Sequence, residues 1–177
     1  YMKAILGLEI DDGETIGAEL GFEALESVIY SIPDTKENSA LFAALAKHPY
    51  PGIRAQLASK QNLDDETIML LASDTDMNVL SNVTYSESFK SMATLDDIKR
   101  ILEQNNDASM NIISSAGSFK KVSVDEIEQT IKEVVKNPRV LQVAAQAYEM
   151  TNAFLEELSQ NPDVSVSSAA KETLKNR

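Results

Sequence analysis

The sequence points to an all-α chain of 177 residues. It reads as an α-solenoid of about five short helix pairs (residues 37–177) behind an acidic N-terminal segment (residues 1–36). Three observations lead there. One skeleton recurs five times: an apolar residue, a His, Asp or Asn three positions on, often Pro next, and another apolar residue four later. Apolar positions beyond each skeleton fall four apart, on one face of a helix. Helix-capping residues precede the stretch that leads to each following copy.

Residues 1–13 fit a short strand or an apolar lead-in (Ile5, Leu6, Leu8, Ile10), closed by the turn signal Asp11-Asp12-Gly13. A helix is expected from about Glu14 to Ser31, with Ile16, Leu20, Leu25, Val28 and Ile29 as its stripe and Pro33 as its stop. Gly13, Gly17 and Gly21 lie four apart, as a close-approach surface or as a weak helix start. The second weighs more, since an interior glycine costs about 1 kcal/mol against alanine.

The first copy of the skeleton is Leu45, His48, Pro49 and Ile53; the second is Leu71, Asp74, Thr75 and Val79. The third is Leu102, Asn105, Asn106 and Met110; the fourth is Val134, Asn137, Pro138 and, after a one-residue slip, Gln142 with Val143 beside it. Leu158, Asn161, Pro162 and Val166 complete the series. Copies one, two and five match best. Each has room for a first helix, A, ending near the His/Asx position, where Asn tolerates a left-handed backbone. Proline then suits the first turn of a second helix, B. B carries apolar slots such as Ile53 and Leu57, or Val79 and Val83. A-helix starts are marked by Asp64, by Thr94 with Asp97, by Ser123 with Glu126, and by Thr151. No unit this short buries its apolar face alone, but stacked units do.

Composition narrows the function. The formal charge is -12 and the pI near 4.5, which opposes binding to phosphate backbones. The only adjacent basic pairs are Lys99-Arg100 and Lys120-Lys121. Absence of cysteine removes thiol catalysis, disulfides and cysteine metal sites, and fits a reducing compartment. No apolar run reaches the roughly 20 residues a membrane span needs. The start lacks a basic n-region and a small-residue cleavage site, which argues against a signal peptide. The expected location is the cytoplasm.

The run LAKHPYPGIRAQLASKQNL from Leu45 resembles the leucine-rich repeat variant family, with its "LA…D/N-P…VR…VA…N…L" signature, and more broadly the HEAT-like α-solenoids. The likeness is good over residues 45–80, partial to 177, and absent before about residue 37. It implies a right-handed superhelix and a scaffold or interaction role without a reaction. Arg54 fits the family's arginine slot; Leu80, Asn111, Val143 and Ser167 stand there in the other copies.

Candidate sites sort by what else explains them. His48, the single histidine, occupies a slot filled elsewhere by Asp and Asn, so helix termination explains it better than a metal or catalysis. The run from Asp74 to Asn78 starts like a calcium loop, but Val79 and Tyr85 stand where Gly and Glu are required. Asn82-Val83-Thr84 matches a glycosylation acceptor, with Val83 an expected core residue. Asp64-Asp65, Asp96-Asp97 and Asp125-Glu126 fall at helix starts, where negative charge is favoured by about 0.3–1 kcal/mol. If the units stack, Asp64, Asp65, Asp96, Asp97 and Asp125 line an acidic edge suited to a basic partner.

The face of the B helices opposite the apolar slots is small and polar, which crowding of the inner helices in a curved solenoid selects by itself and a groove for an extended peptide also suits; crowding weighs slightly more. Asn78, Tyr85, Asn111, Gln142 and Tyr148, together with Arg54 from the family-like slot, are the candidate partner-binding residues. The function expected is a non-catalytic module binding a protein or peptide, with no cofactor and no metal. Nucleic-acid association, as for some HEAT-like proteins, and an enzyme with no recognisable catalytic constellation are the alternatives.

Overall fold

The computed structural model describes residues 27–177. Among them every regular element is helical. Residues 27–31 end a helix, so most of the helix expected over residues 14–31, with its glycines and the lead-in, lies outside the described residues. After a 3-10 turn, Lys36–Asn38, the helices are α1 (Ser39–Leu45), α2 (Pro51–Ala58), α3 (Asp65–Ala72), α4 (Met77–Val83), α5 (Glu87–Met92), α6 (Leu95–Leu102), α7 (Asp107–Ser114), α8 (Val124–Val134), α9 (Pro138–Gln146), α10 (Asn152–Leu158) and α11 (Val164–Lys175). The chain divides into two compact units between Phe89 and Lys90, within α5.

Within each unit the A and B helices form separate rows. In the first, α1 packs on α3 and α2 on α4. In the second, α6 packs on α8, while α7, α9 and α11 pack in succession. The apolar slots face inward: Ile53, Leu57, Val79 and Val83 are all buried. Ala144, Ala145 and Ala170 are buried in the second unit's B row, where small side chains allow close helix approach.

Helix starts follow the capping signals. The Asp64 carboxylate accepts the Thr67 N–H at 2.8 Å. Thr94 with Asp97, and Ser123 with Glu126, form capping boxes. The Thr151 hydroxyl oxygen accepts the Phe154 N–H. Successive copies start 26, 31, 32 and 24 residues apart (71-45, 102-71, 134-102, 158-134), and the two long intervals have separate causes: α5 follows α4 in one, and a 3-10 turn, Ala116–Ser118, with an 11-residue α8 fills the next.

The A-to-B corners work differently from the sequence expectation. Asn105 (φ 51) is the only non-glycine residue with positive φ among the described residues, so left-handed termination holds there alone. At the well-matched copies a side chain closes the corner by accepting the N–H two residues on. His48 Nδ1 takes the Tyr50 N–H at 3.1 Å; Asp74 takes Asp76 and Asn161 takes Asp163, each at 2.9 Å. Copies three and four are out of register with that rule. Asn106 and Asn137 are themselves the N-caps of α7 and α9. In α9 the buried apolar slot is therefore Val140, with Gln142 half-buried.

The corrected register exposes a longer repeat. α2, α3 and α4 begin at 51, 65 and 77, and α9, α10 and α11 begin at 138, 152 and 164, a constant offset of 87. Tyr50 and Asn137 are the paired N-caps, each followed by proline. Asp76 and Asp163 cap α4 and α11 by the same two bonds, to the backbone N–H groups two and three residues on. Under this offset Arg54 corresponds to Leu141 and Asp74 to Asn161.

Arg54 makes four hydrogen bonds within the first unit. Its Nε and Nη2 meet the two Asp74 carboxylate oxygens at 2.6 and 3.1 Å, while Nη1 reaches the carbonyls of His48 and Pro49 at 2.8 and 3.0 Å. One guanidinium thus joins two successive corners. The Asp74 side chain is only 9% exposed. Burial alone would raise its carboxyl, but the hydrogen bonds from Arg54 and Asp76 hold it below the usual range.

Two further clasps share one chemistry. Asp34 accepts the N–H groups of Gln61 (2.7 Å) and Asn62 (2.9 Å), and Asn62 Nδ2 donates back to the Asp34 carbonyl. Asn105 Oδ1 likewise accepts from Lys136 and Asn137, and Asn137 Nδ2 donates to the Asn105 carbonyl. The first clasp ties residues 27–35 to the α2–α3 linker, and Lys60 adds bonds to the carbonyls of Tyr30 and Ile32. Burial would raise the Asp34 carboxyl, but the two backbone N–H donors lower it on balance.

Two outcomes test this account. Arg54→Met should lower the unfolding free energy by about 2 kcal/mol in urea titration, since it strands Asp74. Leu141→Met, at the corresponding position, should cost less than about 1 kcal/mol. Asp34 and Asp74 both have lowered folded-state pKa values, so protonation favours the unfolded chain. Their contribution is complete above about pH 4 and is lost as pH falls through the folded-state values below it. Asp34→Asn, which copies the Asn105 clasp, should therefore narrow the drop in urea midpoint between pH 6 and pH 3.

Candidate interaction surface

Two hollows in the first unit share one B-helix residue. Between α2 and α4 lies a hollow of about 550 Å³, lined by Tyr50, Gly52, Gln56, Asn78, Ser81 and Asn82 among others. No charged side chain lines it. Beyond it, past the α2 and α4 C-termini, a second hollow of about 390 Å³ is lined by Lys60, Asn82, Tyr85 and Glu87. Tyr85 is 65% exposed.

Asn82 belongs to both hollows. Its Nδ2 donates to the Ala55 carbonyl at 2.8 Å, tying α4 to α2 and fixing the carboxamide. Asn78 sits one turn earlier on α4 and is exposed. Gln56 faces them from α2 across the first hollow. Such amides supply both a donor and an acceptor, the pair that an extended backbone presents. The sequence offered no reason to choose Asn82, because its partner lies 27 residues away.

The other expected site residues fall elsewhere. Arg54 is committed to Asp74 and the first corner. Asn111 and Gln142 are half-buried on α7 and α9 in the second unit. Tyr148 is 84% exposed in the loop after α9, with the Arg177 guanidinium 5.7 Å from its ring. By the 87-residue offset it corresponds to Gln61, so Tyr85 and Tyr148 are not equivalent positions.

The acidic residues lie at helix starts, where Asp64 and Asp97 accept hydrogen bonds. Asp64 and Asp65 open α3, Asp96 and Asp97 open α6, and Asp125 lies in the first turn of α8. Hydrogen bonds from Thr67 lower the Asp64 carboxyl, and those from Ser123 lower that of Glu126. α6 and α8 pack together, so Asp96, Asp97 and Asp125 share one unit, and Asp64 and Asp65 belong to the other. Residues 1–89 hold 15 acidic and five basic side chains; residues 90–177 hold 13 and 11.

The remaining motifs are absorbed by the fold. His48 is 2% exposed at the first corner. The Asp74 and Asp76 carboxylates bind Arg54 and cap α4. Val83 and Thr84 of the glycosylation-like triplet are buried. No cluster of three or more metal-ligating side chains occurs among the described residues, and no helix there is long and apolar enough to cross a membrane.

The chain matches no family model, no curated protein and no solved structure.

Asn82→Ala should separate the roles of that residue. Loss of one half-buried bond predicts about 1 kcal/mol lower stability by urea unfolding. Tyr85→Ala, which removes an exposed ring, should change stability by less than about 0.5 kcal/mol.

Proposed function

We propose that this chain is a non-catalytic interaction module of the helical-repeat type, akin to leucine-rich repeat variant and HEAT-like solenoids, and that its first unit holds an extended peptide segment. The observation that carries this reading is the pair of hollows joined at Asn82. An uncharged floor of amides, next to an exposed tyrosine, suits a peptide backbone with one side chain packed on Tyr85. The hollows are open, as a peptide groove is. In this reading the helix pairs within each unit wind as a right-handed superhelix, and the protein works in the cytoplasm.

The acidic helix starts are a subsidiary surface. They add long-range attraction for a basic partner and so act on the association rate more than on the final contacts.

Selection of random twelve-residue peptides displayed on phage tests the groove. Enriched peptides should bind the wild-type chain and lose at least tenfold affinity to the Asn78→Ala, Tyr85→Ala double variant. Neutralising Asp64, Asp96 and Asp125 together should slow association and flatten its salt dependence. Peptides that bind the double variant at full strength sink the groove. An unchanged salt dependence leaves the acids as caps alone.

A further inference from the structure

The 87-residue offset supplies an internal comparison for one cleft in the second unit. In the first unit the space between successive corners is filled by the Arg54 side chain, which bonds to the His48 and Pro49 carbonyls and to Asp74. In the second unit Leu141 replaces that arginine and Asn161 replaces that aspartate. A cleft of about 470 Å³ lies there, lined among others by Val135, Lys136, Leu141, Phe154, Glu157 and Asn161. The corner itself is unchanged: Asn161 still accepts the Asp163 N–H as Asp74 accepts that of Asp76.

The 87-residue offset also gives the backbone carbonyls that stand in the second unit at the positions Arg54 uses in the first. The His48 and Pro49 carbonyls correspond to those of Val135 and Lys136, which accept no hydrogen bond from the described residues. A carboxylate is also present, moved from the Asp74 position to Glu157. Glu157 is held only by Lys132 at 2.7 Å, and the two side chains are 59% and 31% exposed. An exposed pair of this kind is readily exchanged. Lys132 also lines the cleft, with its ammonium 5.7 Å from the centre of the Phe154 ring, so an incoming arginine displaces that ammonium from both Phe154 and Glu157. Leu141 then suits its methylene stem, and the fork of the guanidinium suits several acceptors at once.

We propose that this cleft is a seat for an arginine side chain supplied by a partner protein, in the place that Arg54 fills from within the chain in the first unit. The guanidinium meets the carbonyls of Val135 and Lys136 and the carboxylate of Glu157. Lysine is a poor substitute, because a single ammonium cannot fork across these acceptors. The seat is independent of the α2–α4 hollows and does not rest on the peptide reading of that face.

Titration of the isotope-labelled full chain with N-acetyl-arginine methylamide, followed by amide chemical shifts, tests the seat. Saturable shifts are expected at residues 135–141 and 157–163, with at least tenfold weaker binding of the N-acetyl-lysine analogue. Leu141→Arg should fill the seat from within and abolish those shifts. Glu157→Gln, which leaves the cleft open, should weaken binding several-fold. Equal response to lysine, no saturable shift in those residues, or full binding by the folded Leu141→Arg and Glu157→Gln variants overturns the proposal.

Discussion

The helices named here are six to twelve residues long, and helices of that length do not persist in water by themselves. Everything else in the fold answers that constraint. Each helix needs its free N–H groups taken up at the start and its apolar stripe covered along its length. Asp64, Asp76, Thr94, Asn106, Ser123, Asn137, Thr151 and Asp163 do the first. Packing of A on A, of B on B, and of A on B within pairs does the second. Much of the acidity that looks functional in the sequence is therefore placed where a helix must begin.

Interactions at a distance then tie neighbouring pairs together. Arg54, the Asp34 and Asn105 clasps, and Glu128, whose carboxylate accepts both the N–H and the hydroxyl of Thr151, all span 20 to 32 residues. Each joins one helix pair to the next. The hollow between α2 and α4 is what this scheme leaves over, on a face that carries no cap.

What was legible in the sequence follows from the range of each interaction. Capping acts over two or three residues, and the starts at Asp64, Thr94, Ser123 and Thr151 were readable for that reason. The buried slots Ile53, Leu57, Val79 and Val83 were readable from helical spacing. The register of copies three and four was not. Asn-Asn at 105–106 and Asn-Pro at 137–138 resemble the corner skeleton as strings, whereas the backbone uses Asn106 and Asn137 as N-caps. The ties of Arg54 to Asp74 and of Asn82 to Ala55 depend on residues brought together only by stacking. Local pattern marked Arg54 as unusual and could not name its partner.

The corner at Asp74 is fastened twice, by a bond within the turn and by a bridge from the preceding B helix. Its counterpart at Asn161 keeps only the first fastening, and its backbone bonds are the same. The bridge is thus redundant for shape, whatever it adds to stability. Two blocks of one design can therefore share a turn while only one carries the staple. The same side-chain position then serves as a fastener in one block and opens a cleft in the other.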